Sequence, residues 1–409
     1  MSDLKFVLPE EVKYIIGRLS ENGYRADVVG GPVRDLLLGK EPYDYDITTS
    51  ATPDEVKACF PDFRTVDTGI KHGTVTLVIN KVGYEITTYR IDGEYLDSRH
   101  PESVSFTTEL SLDLSRRDFT MNAIAYSEKY GITDLHSGRE DIEAGIIRAV
   151  GDPDTRFHED ALRILRAVRF ASALGFSLEK STDAAVRSCA SLLSGVSAER
   201  IYSEWIKLIS GKDRYRILAE YSDVISVFLP ELFTGEKGDL SLMLPDGEDR
   251  SDAHPLILML ALFRLNIKER AAAAYKQAMI RLHTDAFTRD TGTLALTAIG
   301  GYATSSRAGI LRLMMDLGRE TAELVIDTEI LLGITSRDSR SLLDAIIKER
   351  APYRPSDLDV NGNDLIELGY SGAEIGKAMR LLLVEVIDGA VKNDRASLMA
   401  RLRKMSKNV

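Results

Sequence analysis

The segment ADVVGGPVRDLLLGKEPYDYDITT, residues 26–49, contains the features that decide the fold of the N-terminal part of the chain. Its first four residues, 26–29, predict a short strand. Gly30 and Gly31 follow, and glycine lets the backbone turn tightly and approach a ligand closely. Pro32 suits the first turn of a helix, where its missing N–H has no helical partner to lose. The segment therefore predicts a strand that turns directly into a helix.

A second predicted strand follows that helix and carries two carboxylates. The helix spans residues 33–38 and ends at Gly39, and residues 43–48 then predict the strand. Side chains alternate along a strand, so Asp44 and Asp46 are expected on one face. Such close carboxylates repel unless a cation lies between them, and Mg²⁺ binds carboxylate and phosphate oxygens with water. We predict a magnesium site for nucleotidyl transfer, although each pattern alone is common in solvated turns.

Glu85 offers a third carboxylate in this part of the chain. Residues 74–79 and 84–90 predict two strands joined by a turn, and Glu85 shares a face of the second with Thr87 and Tyr89. A neighbouring strand would bring this glutamate beside the two aspartates, where it would support the metal or act as a base for the primer hydroxyl. The alternative is an exposed glutamate on an edge strand.

A predicted helix farther along the chain carries a row of charges. It runs from about 154 to 174, and Asp160, Arg163, Arg166 and Arg169 recur in it every three residues. Such a row drifts around a helix of 3.6 residues per turn and forms a slanted ridge. A ridge suits an elongated ligand with a base at one end and phosphates at the other. The alternative is a solvated ridge with an ion pair between the first two residues.

The first two residues of the ridge could select the base. Cytosine and adenine each present an amino donor beside a ring-nitrogen acceptor. A carboxylate only accepts and a guanidinium only donates, so Asp160 would take the amino hydrogen and Arg163 would donate to the ring nitrogen. Guanine and uracil present the reversed pair, and an unpaired buried polar group costs about 1–3 kcal/mol.

Several motifs in fixed order resemble one known family. RRDFTMNA at 116–123, RFHEDALR at 156–163 and SAERI at 197–201 resemble signatures of tRNA nucleotidyltransferases of the bacterial and eukaryotic kind. Asp134, Gly138 and Arg148 match the short motif between the first two of these. All the motifs lie in order between residues 30 and 204. The family also contains bacterial poly(A) polymerases and enzymes that add only CC or only A.

The resemblance implies template-independent addition of CCA to the tRNA 3′ end from CTP and ATP, with release of pyrophosphate and dependence on Mg²⁺. Catalysis would fall to Asp44, Asp46 and Glu85, and the metal to the two aspartates. The residues expected to bind the nucleotide are Gly30, Gly31, Arg34, Arg117, Asp118, Asn122, Asp160, Arg163, Arg166 and Arg169. Partners would be the 3′ end and acceptor arm of tRNA.

Two other functions stay open from the sequence. An A-adding enzyme or a poly(A) polymerase would use the same chemistry, and a non-catalytic RNA-binding protein could keep the fold. The intact Asp44/Asp46 pair speaks against the last of these. Residues 92–101 lack periodicity and predict a loop, and the resemblance implies that such a loop permits the switch from C to A addition. Members that add only CC lack this loop.

Composition fits a cytoplasmic enzyme of several domains. The chain has 409 residues, a net charge of −11 and 44% hydrophobic residues, with no apolar run long enough for a membrane span and no signal sequence. Its two cysteines, Cys59 and Cys189, give neither a disulfide framework nor a zinc site. The acidic net charge does not exclude RNA, because local patches matter more than the sum. The oligomeric state stays open.

The predicted fold class is α+β. A nucleotidyltransferase head with a small mixed sheet is expected at 1–147. The helical remainder is expected to form a neck for base recognition at 148–205, a body at 206–300 and a tRNA-binding tail at 301–409.

Overall fold

The computed structural model describes residues 5–93, 104–233, 242–245 and 253–406. The chain divides into two compact units, Met1–Phe228 and Leu229–Val409. The first combines a sheet with helices, and the described part of the second is helical. The predicted class, a mixed-sheet head followed by helices, is confirmed. The boundary between the units falls inside the segment predicted as body, and the division into four domains stays a prediction.

A seven-stranded mixed sheet forms the centre of the head. The strands of the first unit are β1 (Ala26–Val29), β2 (Ile47–Thr49), β3 (Arg64–Val66), β4 (Thr74–Ile79), β5 (Val82–Thr88), β6 (Arg90–Asp92), β7 (Val104–Phe106), β8 (Ile124–Ser127), β9 (Gly131–Asp134), β10 (Ile146–Ile147) and β11 (Ser177–Leu178). The order in the large sheet is β3-β4-β5-β2-β1-β8-β9. Only β2 and β5 pair in parallel there. Two small sheets pair β6 with β7 and β10 with β11.

The predicted second strand was too long. Residues 43–48 were expected to form it, but β2 begins only at Ile47, and Asp44 lies in a bend before it. The reason is the partner strand: β1 ends at Val29, where the chain turns into the next helix. Residues before Asp46 therefore have no β1 backbone to pair with. Asp44 and Asp46 both precede β2, so the alternation of side chains along a strand does not put them on one face.

The hairpin of β4 and β5 agrees with the prediction except at its ends. Asn80 and Lys81 form a two-residue turn in which both have positive φ, 50° and 69°, as the favoured hairpin turn requires. The strand predicted to reach Arg90 ends at Thr88. Tyr89 is fully buried, so it does not share the exposed face on which Glu85 lies.

Eleven α-helices are described in the first unit. They are α1 (Glu10–Glu21), α2 (Gly31–Leu37), α3 (Pro53–Cys59), α4 (Leu110–Ser115), α5 (Gly138–Ala144), α6 (Pro153–Glu159), α7 (Leu162–Leu174), α8 (Lys180–Ser188), α9 (Ala198–Ile209), α10 (Arg214–Glu220) and α11 (Ser222–Phe228). Helix α7 packs against α9, whose Trp205 is fully buried. The single helix predicted from about 154 to 174 was wrong, because the chain breaks between α6 and α7 at Asp160, whose backbone is extended.

The described part of the second unit contains nine α-helices. They are α12 (Pro255–Ile267), α13 (Ala271–Arg281), α14 (Ala286–Ala298), α15 (Arg307–Leu317), α16 (Arg319–Leu331), α17 (Arg337–Lys348), α18 (Gly362–Glu367), α19 (Ala373–Ile387) and α20 (Arg395–Ser406). Among the helices described in either unit, none is long and apolar enough to cross a membrane.

Candidate active site

The Gly30-Gly31 turn places Asp46 next to the start of α2. Gly30 has a φ of 79°, a left-handed conformation that favours glycine, and it caps α2. The Val29 N–H donates to the Asp46 carbonyl oxygen over 3.0 Å, so Asp46 lies directly opposite the residue before the turn. A Cβ atom at Gly30 would lie 3.1 Å from Arg117 Nη1. The turn therefore needs glycine for both its conformation and its close approach to that arginine.

The three predicted carboxylates share one region. The parallel register pairs Ile47 of β2 with Ile86 of β5, which puts Asp46 and Glu85 at matching positions one residue earlier. Asp46 keeps an open side to solvent, yet the protein around its carboxyl raises its pKa to about 6, and the charges of Asp44 and Glu85 add to this. Arg117 acts in the opposite direction. A carboxylate destabilised by its neighbours is one that a cation would stabilise.

The donor set at this point fits a divalent cation of the magnesium type. Within the described part of the chain, no group of three or more His, Cys, Asp or Glu side chains is arranged to hold a metal ion. Glu85 therefore does not complete a three-carboxylate cage with Asp44 and Asp46. Mg²⁺ needs no such cage, because it is usually held by one or two carboxylates together with water and substrate phosphate. The role of Glu85 stays a prediction.

A continuous chain of hydrogen bonds joins four of the predicted nucleotide-binding residues. Arg34 Nη1 donates to Asn122 Oδ1 over 2.9 Å, and Asn122 Nδ2 donates to Asp118 Oδ1 over 3.1 Å. Arg166 then donates to Asp118 Oδ2 from Nε and Nη2, over 2.8 and 2.6 Å. Burial alone would raise the pKa of Asp118, but the pairing with Arg166 and the bond from Asn122 lower it to about 2.

Arg169 and Arg117 are held by acidic residues at the edges of this network. Arg169 Nε donates to Glu204 Oε2 on α9 over 2.9 Å. Arg117 Nη2 donates to Asp113 Oδ2 over 3.2 Å, and its Nε is buried without a hydrogen-bond partner among the described residues. Burial lowers the pKa of both guanidinium groups, which still remain cations. The site thus has orientated positive charge available for a polyanion.

Asp113 is a site residue that the sequence reasoning missed. It is fully buried and accepts hydrogen bonds from Arg116, Arg117 and the Thr48 hydroxyl of β2. Burial would raise its pKa, but the charges of Arg117 and Arg116 lower it. The sequence spacing could have indicated this pairing. Asp113 precedes Arg116 by three residues and Arg117 by four, and residues so spaced lie on the same side of a helix.

Of the two residues predicted to read the base, Asp160 forms the break between α6 and α7, and Arg163 lies in the first turn of α7. Asp160 Oδ1 accepts from the Leu162 N–H over 3.1 Å, and Oδ2 accepts from Arg200 Nη2 over 2.8 Å. Arg163 is mostly buried and donates to Glu159 Oε2 over 2.7 Å. Asp160 therefore pairs with Arg200, and Arg163 pairs with Glu159, instead of forming the Asp160–Arg163 ion pair expected for a solvated ridge. Each residue is held in a fixed direction.

Arg163 also reaches back to the head. Its Nη2 donates to the carbonyl oxygen of Arg116 over 3.0 Å, which links α7 to the turn that carries Arg117 and Asp118. Of the loop predicted at 92–101, residues 94–101 lie outside the described residues.

Two family models match this chain. Residues 26–148 match the Poly A polymerase head domain, and residues 175–234 match a family described as the probable RNA and SrmB-binding site of polymerase A. The first match covers the Gly30-Gly31 turn, the carboxylates and the 116–123 motif.

Similarity to characterised proteins extends over nearly the whole chain. A CCA-adding enzyme of Ligilactobacillus salivarius is 34% identical over 97% of this chain and 98% of its own length. One of Geobacillus thermodenitrificans is 52% identical over 55% of each chain. The crystal structure of the Bacillus stearothermophilus CCA-adding enzyme in complex with CTP matches with a TM-score of 0.79 and 31% identity, covering 98% of this chain and 99% of that one.

Proposed function

Because the chain belongs to the family of CCA-adding enzymes, we propose that it adds C, C and A to the 3′ end of tRNA from CTP and ATP, without a nucleic-acid template and with release of pyrophosphate. The observation that carries this proposal is the similarity along the full chain, 34% identity over 97% of its length. The hydrogen-bonded network from Arg34 to Arg166 supports it, since it collects predicted nucleotide-binding residues from head and neck.

Asp44 and Asp46 are the proposed ligands of the catalytic metal, which we take to be Mg²⁺. A divalent cation bound by two such carboxylates supplies the positive charge that helps a hydroxyl attack and a pyrophosphate leave. The raised pKa of Asp46 supports the assignment, because the surrounding protein and then the charges of Asp44 and Glu85 disfavour its ionised form, which a bound cation would stabilise. Glu85 is the proposed third carboxylate, acting on the primer hydroxyl rather than as a full metal ligand.

The arginines are proposed to bind the triphosphate and sugar. Arg117 belongs to the 116–123 motif, and Arg166 and Arg169 belong to α7. All three keep N–H groups beyond those in the hydrogen bonds described above, since a guanidinium has five. Bidentate recognition of phosphate is the task for which arginine is best suited. Gly30, Gly31 and Arg34 line the same turn, and Asp118 and Asn122 lie near the sugar in this proposal.

Base selection is assigned to Asp160 and Arg163. A carboxylate has about four lone-pair sites, so Asp160 can accept an amino hydrogen of the base while it keeps its bonds to Leu162 and Arg200. Arg163 Nη2 carries a second hydrogen besides the one given to the Arg116 carbonyl. The hydrogen bonds already made fix the direction of the remaining acceptor sites of Asp160 and donor groups of Arg163. Selection of a base by its pattern of donors and acceptors requires such fixed directions.

The helical segments are proposed to hold the RNA. The neck, body and tail are assigned to 148–205, 206–300 and 301–409, with tRNA bound by the tail. The match of residues 175–234 to an RNA-binding family supports RNA contact by the helical part. A cytoplasmic location is proposed with this function, since both cysteines are free and buried.

The test uses three transcripts of one tRNA that lack CCA, CA or A, each offered CTP, ATP, UTP and GTP singly and then together. The proposed enzyme extends the first two with CTP and the third with ATP. A protein that extends only the transcript lacking A is an A-adding enzyme, and one that makes long A tails is a poly(A) polymerase. A protein that binds the transcripts without extending any of them is the non-catalytic alternative.

A further inference from the structure

Three arginines of the site surround one aromatic ring. Phe170 is the residue after Arg169 in α7, and it is buried. The guanidinium carbon of Arg169 lies 3.5 Å from the ring centroid, and those of Arg34 and Arg166 lie 5.2 and 5.3 Å from it. All three distances fall within the range of cation–π attraction. Arginine side chains from α2 and α7 thus meet at the ring of Phe170, which has no role in the function proposed above.

The ring itself is held in place. Phe119, the residue after Asp118, is fully buried. Its ring contacts that of Phe170 with the centroids 5.8 Å apart and an interplanar angle of 83°. This edge-to-face arrangement is a favoured geometry for two aromatic rings. The orientation of Phe170 is therefore fixed from the head, on which the metal ligands are also carried.

Three guanidinium groups this close together repel one another. Burial is the main cause that lowers the pKa of Arg169, and repulsion by the charge of Arg166 lowers it further, whereas Glu204 acts in the opposite direction. Each of the three arginines has an acidic partner: Asp35 for Arg34, Asp118 for Arg166 and Glu204 for Arg169. These carboxylates take N–H groups from the edges of the guanidinium planes. A ring stacked against the plane, as at 3.5 Å, attracts the cation without taking any N–H group.

We propose that Phe170 is a positioning residue that gathers Arg34, Arg166 and Arg169 into one cluster for the nucleotide triphosphate. The inference rests on the proposed function, since it assigns the cluster to the nucleotide substrates. The π face offsets the repulsion among the cations and leaves their N–H edges directed towards phosphate oxygens. Because CTP and ATP have the same triphosphate, the ring serves both nucleotides equally and takes no part in choosing the base.

The first test replaces the ring by an alkyl side chain of similar size. In Phe170→Leu, we expect the KM for CTP on tRNA lacking CCA and the KM for ATP on tRNA lacking A to rise together, by about tenfold, which corresponds to about 1.4 kcal/mol. The inhibition constant of pyrophosphate should rise by a similar factor, whereas the KM for tRNA should not change. Phe170→Tyr, which keeps the π face, should restore nucleotide binding.

The control is Phe263→Leu. Phe263 is also fully buried and also meets a partner ring edge to face, that of Tyr275 at 5.4 Å, but it lies in the second unit. This variant should lose thermal stability without a change in either nucleotide KM. The control shows whether an effect of Phe170→Leu comes from the loss of any buried aromatic ring or from the loss of the ring at position 170.

A second series keeps the proposal testable if the leucine variant does not fold. Phenylalanine with one, two or three ring fluorines at position 170 keeps the shape and weakens the π face stepwise, so the nucleotide KM should rise with each fluorine. An unchanged KM across the series, a rise for only one nucleotide, or a fall in kcat alone would overturn the role of Phe170. If the unmodified protein extends no transcript, the proposed function fails instead, and the two failures are thereby distinguished.

Discussion

Replacing Asp118 by Asn tests the ion pair at the centre of the site. The substitution keeps the shape of the side chain and removes the charge that faces Arg166, which donates to it from Nε and Nη2. The pKa of Asp118 falls from an ordinary 3.8 to about 2 in the folded protein. A difference of that size corresponds to about 2 kcal/mol of stability at pH 7, and both partners are shielded enough for most of it to be realised.

The sign of the pH dependence follows from the depressed pKa. The folded protein holds the Asp118 proton less tightly than the unfolded chain, so the stabilisation is complete above pH 3.8 and disappears as the pH falls towards 2. The difference in unfolding free energy between wild type and Asp118→Asn should therefore be equal at pH 7 and pH 5 and should shrink below pH 4.

The only tryptophan of the chain provides the assay. Trp205 is fully buried in the first unit, so its fluorescence during urea unfolding reports on the unit that contains Asp118. With a typical urea dependence, a loss of about 2 kcal/mol lowers the midpoint by roughly 1 M. Asp67→Asn is the control, since its pair with Lys57 is at the surface and should contribute less than about 1 kcal/mol. A loss for Asp118→Asn that is independent of pH, or no larger than the loss in Asp67→Asn, would show that the Asp118–Arg166 ion pair does not stabilise the fold as expected.

Four substitutions and one control variant test the chemistry. Asp46→Asn or Asp44→Ala should abolish extension of every transcript while Trp205 fluorescence stays native, and normal turnover by either variant would remove that residue from the proposed metal site. Glu85→Gln should lower kcat without raising the KM for CTP or ATP, as measured by steady-state extension, and an unchanged kcat would leave Glu85 an ordinary exposed glutamate. Asp160→Ala should reduce the preference for CTP and ATP over UTP and GTP by roughly tenfold to a hundredfold, the value of a directed hydrogen bond to a charged group. Arg166→Ala is its control, because it should weaken all four nucleotides alike, and a uniform loss in Asp160→Ala would contradict base reading.

The sequence predicted those elements whose structure depends on near neighbours. The strand at 26–29 and the strand at 74–79 have the predicted bounds, and the helix between Gly31 and Leu37 lies within a residue or two of the prediction. Proline at 32 fixes the backbone of the first helical turn, and Gly30 and Gly39 supply the left-handed conformations on either side of the helix, with φ of 79° and 69°. These local preferences leave little for tertiary contacts to decide.

The sequence did not predict the features that depend on distant partners. Asp160 interrupts a segment with strong helix-forming residues because its carboxylate binds the Leu162 N–H and Arg200, and Arg200 is 40 residues away. The start of β2 depends on where β1 ends. Spacing along one helix could suggest the pairing of Asp113 with Arg116 and Arg117. Its burial and its hydrogen bond from Thr48 of β2 depend on the fold and could not be predicted in this way.

The length and sequence of the product test most directly whether this protein adds CCA. A tRNA transcript that ends at the nucleotide before CCA is incubated with the purified protein, CTP and ATP, and its 3′ end is then sequenced. We expect addition of three nucleotides, C, C and A in that order, and no further extension. Termination after CC, a single A added to the unextended transcript, or a homopolymer of A would contradict it.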